Sequence, residues 1–137
     1  MAQKLQMELV TPTSQVLNEE VDEITAPGTL GQFGLLPGHT PMLTTLQVGE
    51  LSYRQGEKHY HVAVNWGYLE IEDDKVVILV ETAEVEDQID LERARKALGR
   101  AEKVLAMLHP EDKDFQERQA ALQRALVRIQ VAGKKTK

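Results

Sequence analysis

A change of period near residue 86 constrains this chain more than any other feature. Before it, apolar residues alternate with polar ones, as at Leu5, Met7 and Leu9 and again at Tyr60, Val62 and Val64. That period of two marks half-buried strands. After it, Leu91, Ala94, Leu98, Ala101, Leu105 and Leu108 recur at strict three- and four-residue spacing, one narrow helical stripe. A single chain thus carries two architectures in series, with the change at Val85, Glu86 and Asp87.

The first part reads as many short strands. The first stops at Thr11-Pro12, two short segments around Val16-Leu17 and Val21 to Ile24 follow, and Pro27-Gly28 reads as a turn. Gly28, Gly31, Gly34, Pro37-Gly38 and Pro41 predict tight turns and no helix. Leu51 and Tyr53 lead into a Gln55-Gly56 turn, and Asp73-Asp74 separates two strand-like runs as a hairpin turn would. Turn signals every eight to twelve residues predict a flattened β-sandwich or barrel over residues 1–87.

Residues 88–137 predict an antiparallel two-helix hairpin. Asp90 stands where an N-cap belongs, and His109-Pro110 stops the first helix. The second resumes near 111–114 with Phe115, Leu122, Ala125, Leu126 and Ile129 as its stripe, then ends at Gly133 before the basic tail 134–137. Ala94, Ala101 and Ala125 occupy the seam where leucine would bury more. At about 0.8 kcal/mol per buried methylene, each forgoes roughly 2 kcal/mol. A hairpin of fewer than fifty residues with such a seam is expected to be marginal, and therefore a moving part.

The net charge of −6 hides a reversal at the same place. Residues 1–89 carry four Lys and Arg against fifteen Asp and Glu, a net −11, whereas residues 90–137 carry twelve against seven, a net +5. The two segments are expected to meet different partners.

Composition narrows the chemistry. The chain has no cysteine, which excludes disulfides, thiol nucleophiles and thiolate metal sites. The longest apolar run, 76–80, is far short of a membrane span, and the opening residues lack a secretory core, so a soluble intracellular protein is expected. Aromatics make up only 4%, with a single tryptophan, Trp66, which argues against base-stacking platforms for nucleic acid. His59 and His61 share a strand face but have no third ligand marked, and surface histidines explain them better. Ser14 and Ser52 sit in no nucleophile elbow, no phosphate-binding loop is present, and Glu19-Glu20 and Asp73-Asp74 read as solvated turn carboxylates. No active site is legible.

The segment 31–46, Gly-Gln-Phe-Gly-Leu-Leu-Pro-Gly-His-Thr-Pro-Met-Leu-Thr-Thr-Leu, concentrates glycine and proline in an apolar stretch. On composition it is either a tight sandwich corner or a recognition loop. It resembles the epsilon subunit of the F-type ATP synthase, whose pattern runs Gly-x-Phe/Leu-Gly-Ile/Leu-x-Pro-Gly-His-x-Pro-Leu. Further matches follow in order: Gly49-Glu-Leu51, Gly67-Tyr-Leu-Glu-Ile71, VVILVETAE over 76–84, and Ile89-Asp-Leu-Glu-Arg-Ala94. The resemblance spans the whole chain.

It implies a non-catalytic subunit of the rotor's central stalk, peripheral on the cytoplasmic face of the bacterial plasma membrane, with no membrane insertion of its own. By match, Thr29, Leu30, Gly31 and Gln32 face the ring of c subunits, with Phe33, His39 and Pro41 near it, and the sandwich binds the gamma subunit. The hairpin then lies folded or extends toward the alpha and beta subunits, where it inhibits ATP hydrolysis while the complex couples proton flow to ATP synthesis. No cofactor is required, but regulatory ATP is implied: Ile89-Asp90-Leu-Glu-Arg93-Ala94 matches the family's nucleotide motif, Arg100 lies seven residues from Arg93 on the same helix face, and Arg124, Arg128 and Glu84 match positions that approach the nucleotide. Guanidinium groups suit phosphates, and carboxylates suit adenine or ribose donors. Two alternatives stay open from the residues alone: a free-standing ATP-sensing module, and a structural stalk adaptor whose hairpin is a permanently docked prop. Against the nucleotide reading stands a simpler one, in which Arg93 makes a salt bridge and the other arginines solvate helix faces.

Overall fold

The computed structural model describes residues 3–136, with side chains through Lys134; the two N-terminal residues and the side chains of the basic tail beyond Lys134 lie outside the described residues. The chain divides into two compact units, residues 1–84 and 85–137.

The first unit is a sandwich of eight strands: β1 Leu5–Thr11, β2 Ser14–Val21, β3 Glu23–Gly28, β4 Gly31–Leu35, β5 Met42–Leu46, β6 Gly49–Gln55, β7 Lys58–Glu72 and β8 Lys75–Val85. The pairing order is β2-β1-β8-β7-β5-β3-β4, with β6 joining β3 to β7. β1 runs parallel to β8, placing Leu9 opposite Ile78. The long strand β7 serves two partners in turn: Lys58 to Val64 pair with β6, and Gly67 to Ile71 pair with β5. It is the strand that turns the corner between the layers. The alternation read from the sequence supplies the core, since Leu5, Met7, Leu9, Ile24, Leu51, Leu69, Ile71 and Ile78 have no solvent exposure.

Two sequence readings need correction here. Pro27-Gly28 is not a turn: both residues end β3, opposite Gln32 and Gly31, and the turn falls on Thr29-Leu30. Proline is tolerated there because a strand end does not require its missing N–H, while the Pro27 carbonyl accepts from the Gln47 N–H at 2.9 Å. Gly28 is glycine for space: an added Cβ would lie 2.8 Å from the Gly31 carbonyl oxygen and the Phe33 ring. Gly31 and Gly34 likewise belong to β4 rather than to turns.

Asp22, between β2 and β3, ties three segments together. Its carboxylate accepts from the Gly56 N–H at 2.7 Å and from Lys4 Nζ at 2.9 Å, with Arg54 Nη1 at 3.8 Å. The Gly56 N–H, and then Lys4, hold its carboxyl below the usual carboxylate range.

The second unit opens with a 3-10 turn at Glu86–Gln88, followed by α1 Leu91–Ala106, α2 Phe115–Ala132 and a closing 3-10 turn at Gly133–Thr136. The opening turn touches both α2 and the closing turn, so the helices run antiparallel. Asp90 caps α1: its Oδ1 accepts the Arg93 N–H at 3.1 Å. The connection is fixed by His109, whose N–H donates to Asp112 Oδ2 at 2.7 Å and whose carbonyl accepts from Asp112 N–H at 2.8 Å. Leu108 lies past the end of α1 and is half-buried, whereas Leu126 is exposed and does not belong to the seam.

The energetic reading of that seam also changes. Ala94 has no exposure, and Ala101 and Ala125 are buried, whereas the neighbouring leucines are half-buried. The alanines are already buried, so a leucine there would overpack its surroundings instead of adding burial.

Candidate functional site

The residues singled out from the sequence fall into three places. Asp90, Arg93, Arg100, Arg124 and Arg128 are on the hairpin, while Glu84 closes the sandwich unit. At 1.5 Å rise per residue, Arg93 stands about 3 Å from the start of α1 and Arg128 about 6 Å from the end of α2. Arg100 and Arg124 stand about 14 and 12 Å in from the same ends. In an antiparallel pair these make two levels with one arginine from each helix. Arg93 and Arg100 are exposed, and Arg124 and Arg128 are half-buried. Asp90 uses one carboxylate oxygen as the cap of α1, so its charge also reinforces the helix N-terminus.

The seven sandwich residues do not form one cluster. Thr29 and Leu30 make the β3–β4 turn, flanked by Gly31 at φ +130° and by Gln32. Thr29 Oγ1 bonds Thr45 Oγ1 at 2.7 Å, which seats this turn against β5, and Leu30 is fully exposed at its tip. His39 and Pro41 lie at the other end of β4, roughly 15 Å away along a strand rising about 3.4 Å per residue. There the Leu36 carbonyl accepts the His39 N–H at 3.2 Å, and His39 Nδ1 lies 2.6 Å from the Thr40 carbonyl oxygen. Phe33 sits midway and is half-buried.

That loop is held by a residue first read as a solvated turn. Asp73 and Asp74 both take left-handed backbone, at φ +51° and +62°. Asp74 Oδ1 accepts the Gly38 N–H at 2.8 Å, and the Asp74 carbonyl accepts the Gln6 N–H at 2.8 Å. Gly38 is itself at φ +87°, a value that favours glycine. The β7–β8 turn is therefore a clasp on the Pro-Gly-His loop and on the first strand.

A further region was missed. Trp66, at the corner of β7, has φ +30°, an uncommon conformation for a bulky residue, and is 45% exposed. Behind it Gly67 allows no side chain, because an added Cβ would fall on the Leu79 carbonyl oxygen and 2.8 Å from Val80 Cα. Beside Trp66 lies a cavity of about 680 Å³, whose walls include Pro12, Tyr68 and Leu79, with Glu81 at its margin. A sequence signal for this corner exists. The apolar alternation of β7 runs through Val62 and Val64 before it and through Leu69 and Ile71 after it, so its parity switches from even to odd, and burial is continuous from Val62 to Asn65 at the approach to the corner.

Around His59 and His61, as elsewhere among the described residues, no group of three ligating side chains comes together. His61 Nδ1 lies 3.3 Å from Glu50 Oε2 instead.

Comparison with known proteins decides the family. Residues 4–86 match the family described as ATP synthase, Delta/Epsilon chain, beta-sandwich domain, and residues 87–133 match its long alpha-helix domain. The chain belongs to the ATP synthase delta/epsilon family. It is 68% identical over 134 residues to ATP synthase epsilon chain 2 of Syntrophotalea carbinolica, covering 98% of this chain and 97% of that one. It is 62% identical over 137 residues to the ATP synthase epsilon chain of Geobacter metallireducens, covering 100% and 99%. As a member of this family it is a non-catalytic stalk subunit of the F-type ATP synthase, a peripheral membrane-associated complex. No helix among its described residues is long and apolar enough to cross a membrane. The fold recurs in a chain of the Euglena gracilis mitochondrial ATP synthase OSCP/F1/c-ring structure, with TM-score 0.81, 24% identity, and 94% of this chain and 81% of that one covered. It recurs again in the central stalk/c-ring structure from Tetrahymena thermophila, with TM-score 0.60, 17% identity, and 99% and 98% covered.

Proposed function

We propose that this epsilon-type subunit is the rotor's regulatory element: its sandwich joins the gamma subunit and the c ring, and its hairpin restrains ATP hydrolysis while the complex couples proton flow to synthesis. The observation that carries the reading is similarity over the whole length, 98% of the chain at 68% identity, to an ATP synthase epsilon chain. The turn at Thr29, Leu30, Gly31 and Gln32 supplies the exposed tip for the ring, and the loop with Phe33, His39 and Pro41 supplies a second, separate contact. The charge reversal supports transient engagement of alpha and beta subunits by the basic hairpin, through several pairs together because one exposed pair contributes at most about 1 kcal/mol. The working position is the cytoplasmic face of the bacterial plasma membrane.

Regulatory ATP belongs to the same reading. Two levels of arginine along the hairpin, Arg93 with Arg128 and Arg100 with Arg124, suit a chain of phosphates, and Asp90 keeps a second carboxylate oxygen for a nucleotide donor. Glu84 lies in the other unit, so the hairpin residues carry the argument. ATP at about 100 times its dissociation constant would add roughly 2.7 kcal/mol to the conformation that binds it.

Removing residues 88–137 from the assembled complex tests the switch: assembly is retained and ATP hydrolysis rises, whereas unchanged hydrolysis refutes it in favour of a prop. For the nucleotide, ATP slows amide exchange across α1 and α2 and Arg93→Ala abolishes the effect. Exchange unaltered up to millimolar ATP removes ATP from the mechanism.

A further inference from the structure

Three histidine rings make hydrogen-bonding contacts among the described residues, and one differs from the other two. His39 Nδ1 lies 2.6 Å from the Thr40 carbonyl oxygen, and His61 Nδ1 lies 3.3 Å from a Glu50 carboxylate oxygen. Oxygen acceptors suit a ring nitrogen that carries a proton, so both contacts survive when the imidazole becomes charged. His109 Nδ1 instead accepts the Glu111 N–H at 3.2 Å. A backbone amide can only donate. The Nδ1 lone pair is therefore in use, which fixes a neutral ring with its proton on Nε2. A proton on Nδ1 would set two donors head to head.

This bond is one arm of a capping box between the two helices. The other is the His109 N–H, which donates to Asp112 Oδ2 at 2.7 Å, and Pro110 stands at the first position after the cap. Consecutive turns lead on from it: the Asp112 N–H donates to the His109 carbonyl at 2.8 Å, and the Phe115 N–H to the Asp112 carbonyl at 3.1 Å. α2 has no side-chain cap at Asp114, so the box upstream supplies the polar start of the second helix. Pro110 breaks the helix at any pH, but the box sets the direction in which the chain resumes. His109 is exposed, so protons reach the ring from solvent. The charged groups on the segments that meet here are Lys103 in the last turn of α1, Glu111, Asp112, Lys113 and Asp114 in the connection, and Glu117 and Arg118 at the start of α2. Four carboxylates against three cations favour a charged ring, and Asp112, already bonded to the His109 main chain, is at hand to pair with it. Such a pair would draw the carboxylate away from the His109 N–H and open the second arm as well.

We infer that the connection between α1 and α2 is a proton-operated hinge: neutral His109 closes the capping box and fixes the chain reversal, and protonation of its ring opens both arms and loosens the helix pair. Imidazole changes charge between about pH 5 and 8, so the hinge works across the physiological range. Its consequence for hydrolysis rests on the proposed restraint by the hairpin. Loosened helices are freer to engage the alpha and beta subunits, so acid strengthens the restraint.

Nitrogen NMR of the full chain reads the hinge directly. At about pH 7.5 the His109 Nδ1 resonance is that of a bare nitrogen and the Nε2 resonance that of a protonated one; the opposite tautomer overturns the inference. Between about pH 7.5 and 5.5, after correction for the intrinsic pH dependence of exchange, the Glu111, Asp112 and Phe115 amides lose about fivefold in protection, the ordinary worth of a cap. His109→Asn keeps a neutral acceptor and holds the protection level across that range, whereas His109→Ala is as open at the higher pH as the native chain is in acid. Equal acid losses in the native chain and in His109→Asn overturn the hinge, since the proton then acts elsewhere. In the assembled ATP synthase, hydrolysis with the native subunit falls about twofold relative to His109→Asn from about pH 8 to about pH 6. A constant ratio beside a working hinge in the free chain overturns the regulatory consequence. If removal of residues 88–137 also leaves hydrolysis unchanged, the restraint reading has failed and the hinge stands.

Discussion

Gly67→Ala tests the packing of the corner strand most severely. A Cβ at this position would meet main chain, not a flexible side chain: the Leu79 carbonyl oxygen, and Val80 Cα at 2.8 Å. Neither atom can turn aside, so β7 and β8 must part locally. Parting disturbs about two ladder hydrogen bonds, at roughly 1 kcal/mol each, and adds an overpacking term of about 1–3 kcal/mol. The expected loss is about 3–5 kcal/mol, a large share of the roughly 5–15 kcal/mol that holds a domain folded. For a sandwich of this size the thermal midpoint should fall by about 15–30 °C. Urea denaturation followed by the fluorescence of Trp66, the only tryptophan, places the reporter one residue from the change. Circular dichroism at strand wavelengths supplies an independent midpoint. A loss under 1 kcal/mol, with both probes agreeing, would refute the close approach and the account of why Trp66 is held as it is.

Three other perturbations follow from the geometry. Asp22 is held below the usual carboxylate range mainly by the Gly56 N–H, so its contribution is complete above the unfolded value near pH 4 and is lost as pH falls through the lowered folded value; thermal midpoints between pH 2.5 and 5 should drop more steeply for the native chain than for Asp22→Asn, and parallel curves would contradict this. Asp74→Ala removes the acceptor of the Gly38 N–H and leaves alanine in left-handed backbone, at an expected loss of about 1–2 kcal/mol; unaltered amide exchange at Gly38 would show that the clasp does not hold the loop. In α1, Ala94→Leu should destabilise by about 1–3 kcal/mol through overpacking, while Gly99→Ala, whose added Cβ meets nothing within 4 Å, should stabilise by about 1 kcal/mol; guanidinium titrations of the two variants should move in opposite directions.

Much of the fold was legible because burial obeys simple periods. Leu5, Met7 and Leu9 announced β1, and Ala94 and Ala101 announced the face of α1. The β3–β4 hairpin was misread because Pro27 and Gly28 are turn residues by habit, whereas here one is tolerated at a strand end and the other is required by the Phe33 ring. Leucine at the seam looked better than alanine because spacing alone does not say how much room surrounds a buried position. The site was legible in the other sense: the residues came from resemblance to a family, and the fold distributed them over a turn, a loop and two helix levels. Asp74 could not be found from the sequence, since its partner Gly38 is 36 residues away. Trp66 could have been, from the parity switch between Val64 and Leu69, had the corner been sought.

The parallel pairing of the first strand with the last has a consequence for synthesis. Leu5, Met7 and Leu9 leave the ribosome early, but β8, which covers the other side of β1, is made some 69 residues after Leu9, at Ile78. At about 5–20 residues per second, β1 waits roughly 3–14 s with one edge unpaired. During that interval the nascent chain is most exposed to aggregation and to chaperones. Closure by β8 completes the sandwich just before the helices emerge, so the second unit is made after the first can fold. A slow-codon cluster placed before residue 75 would lengthen the vulnerable interval, and one placed after residue 88 would not.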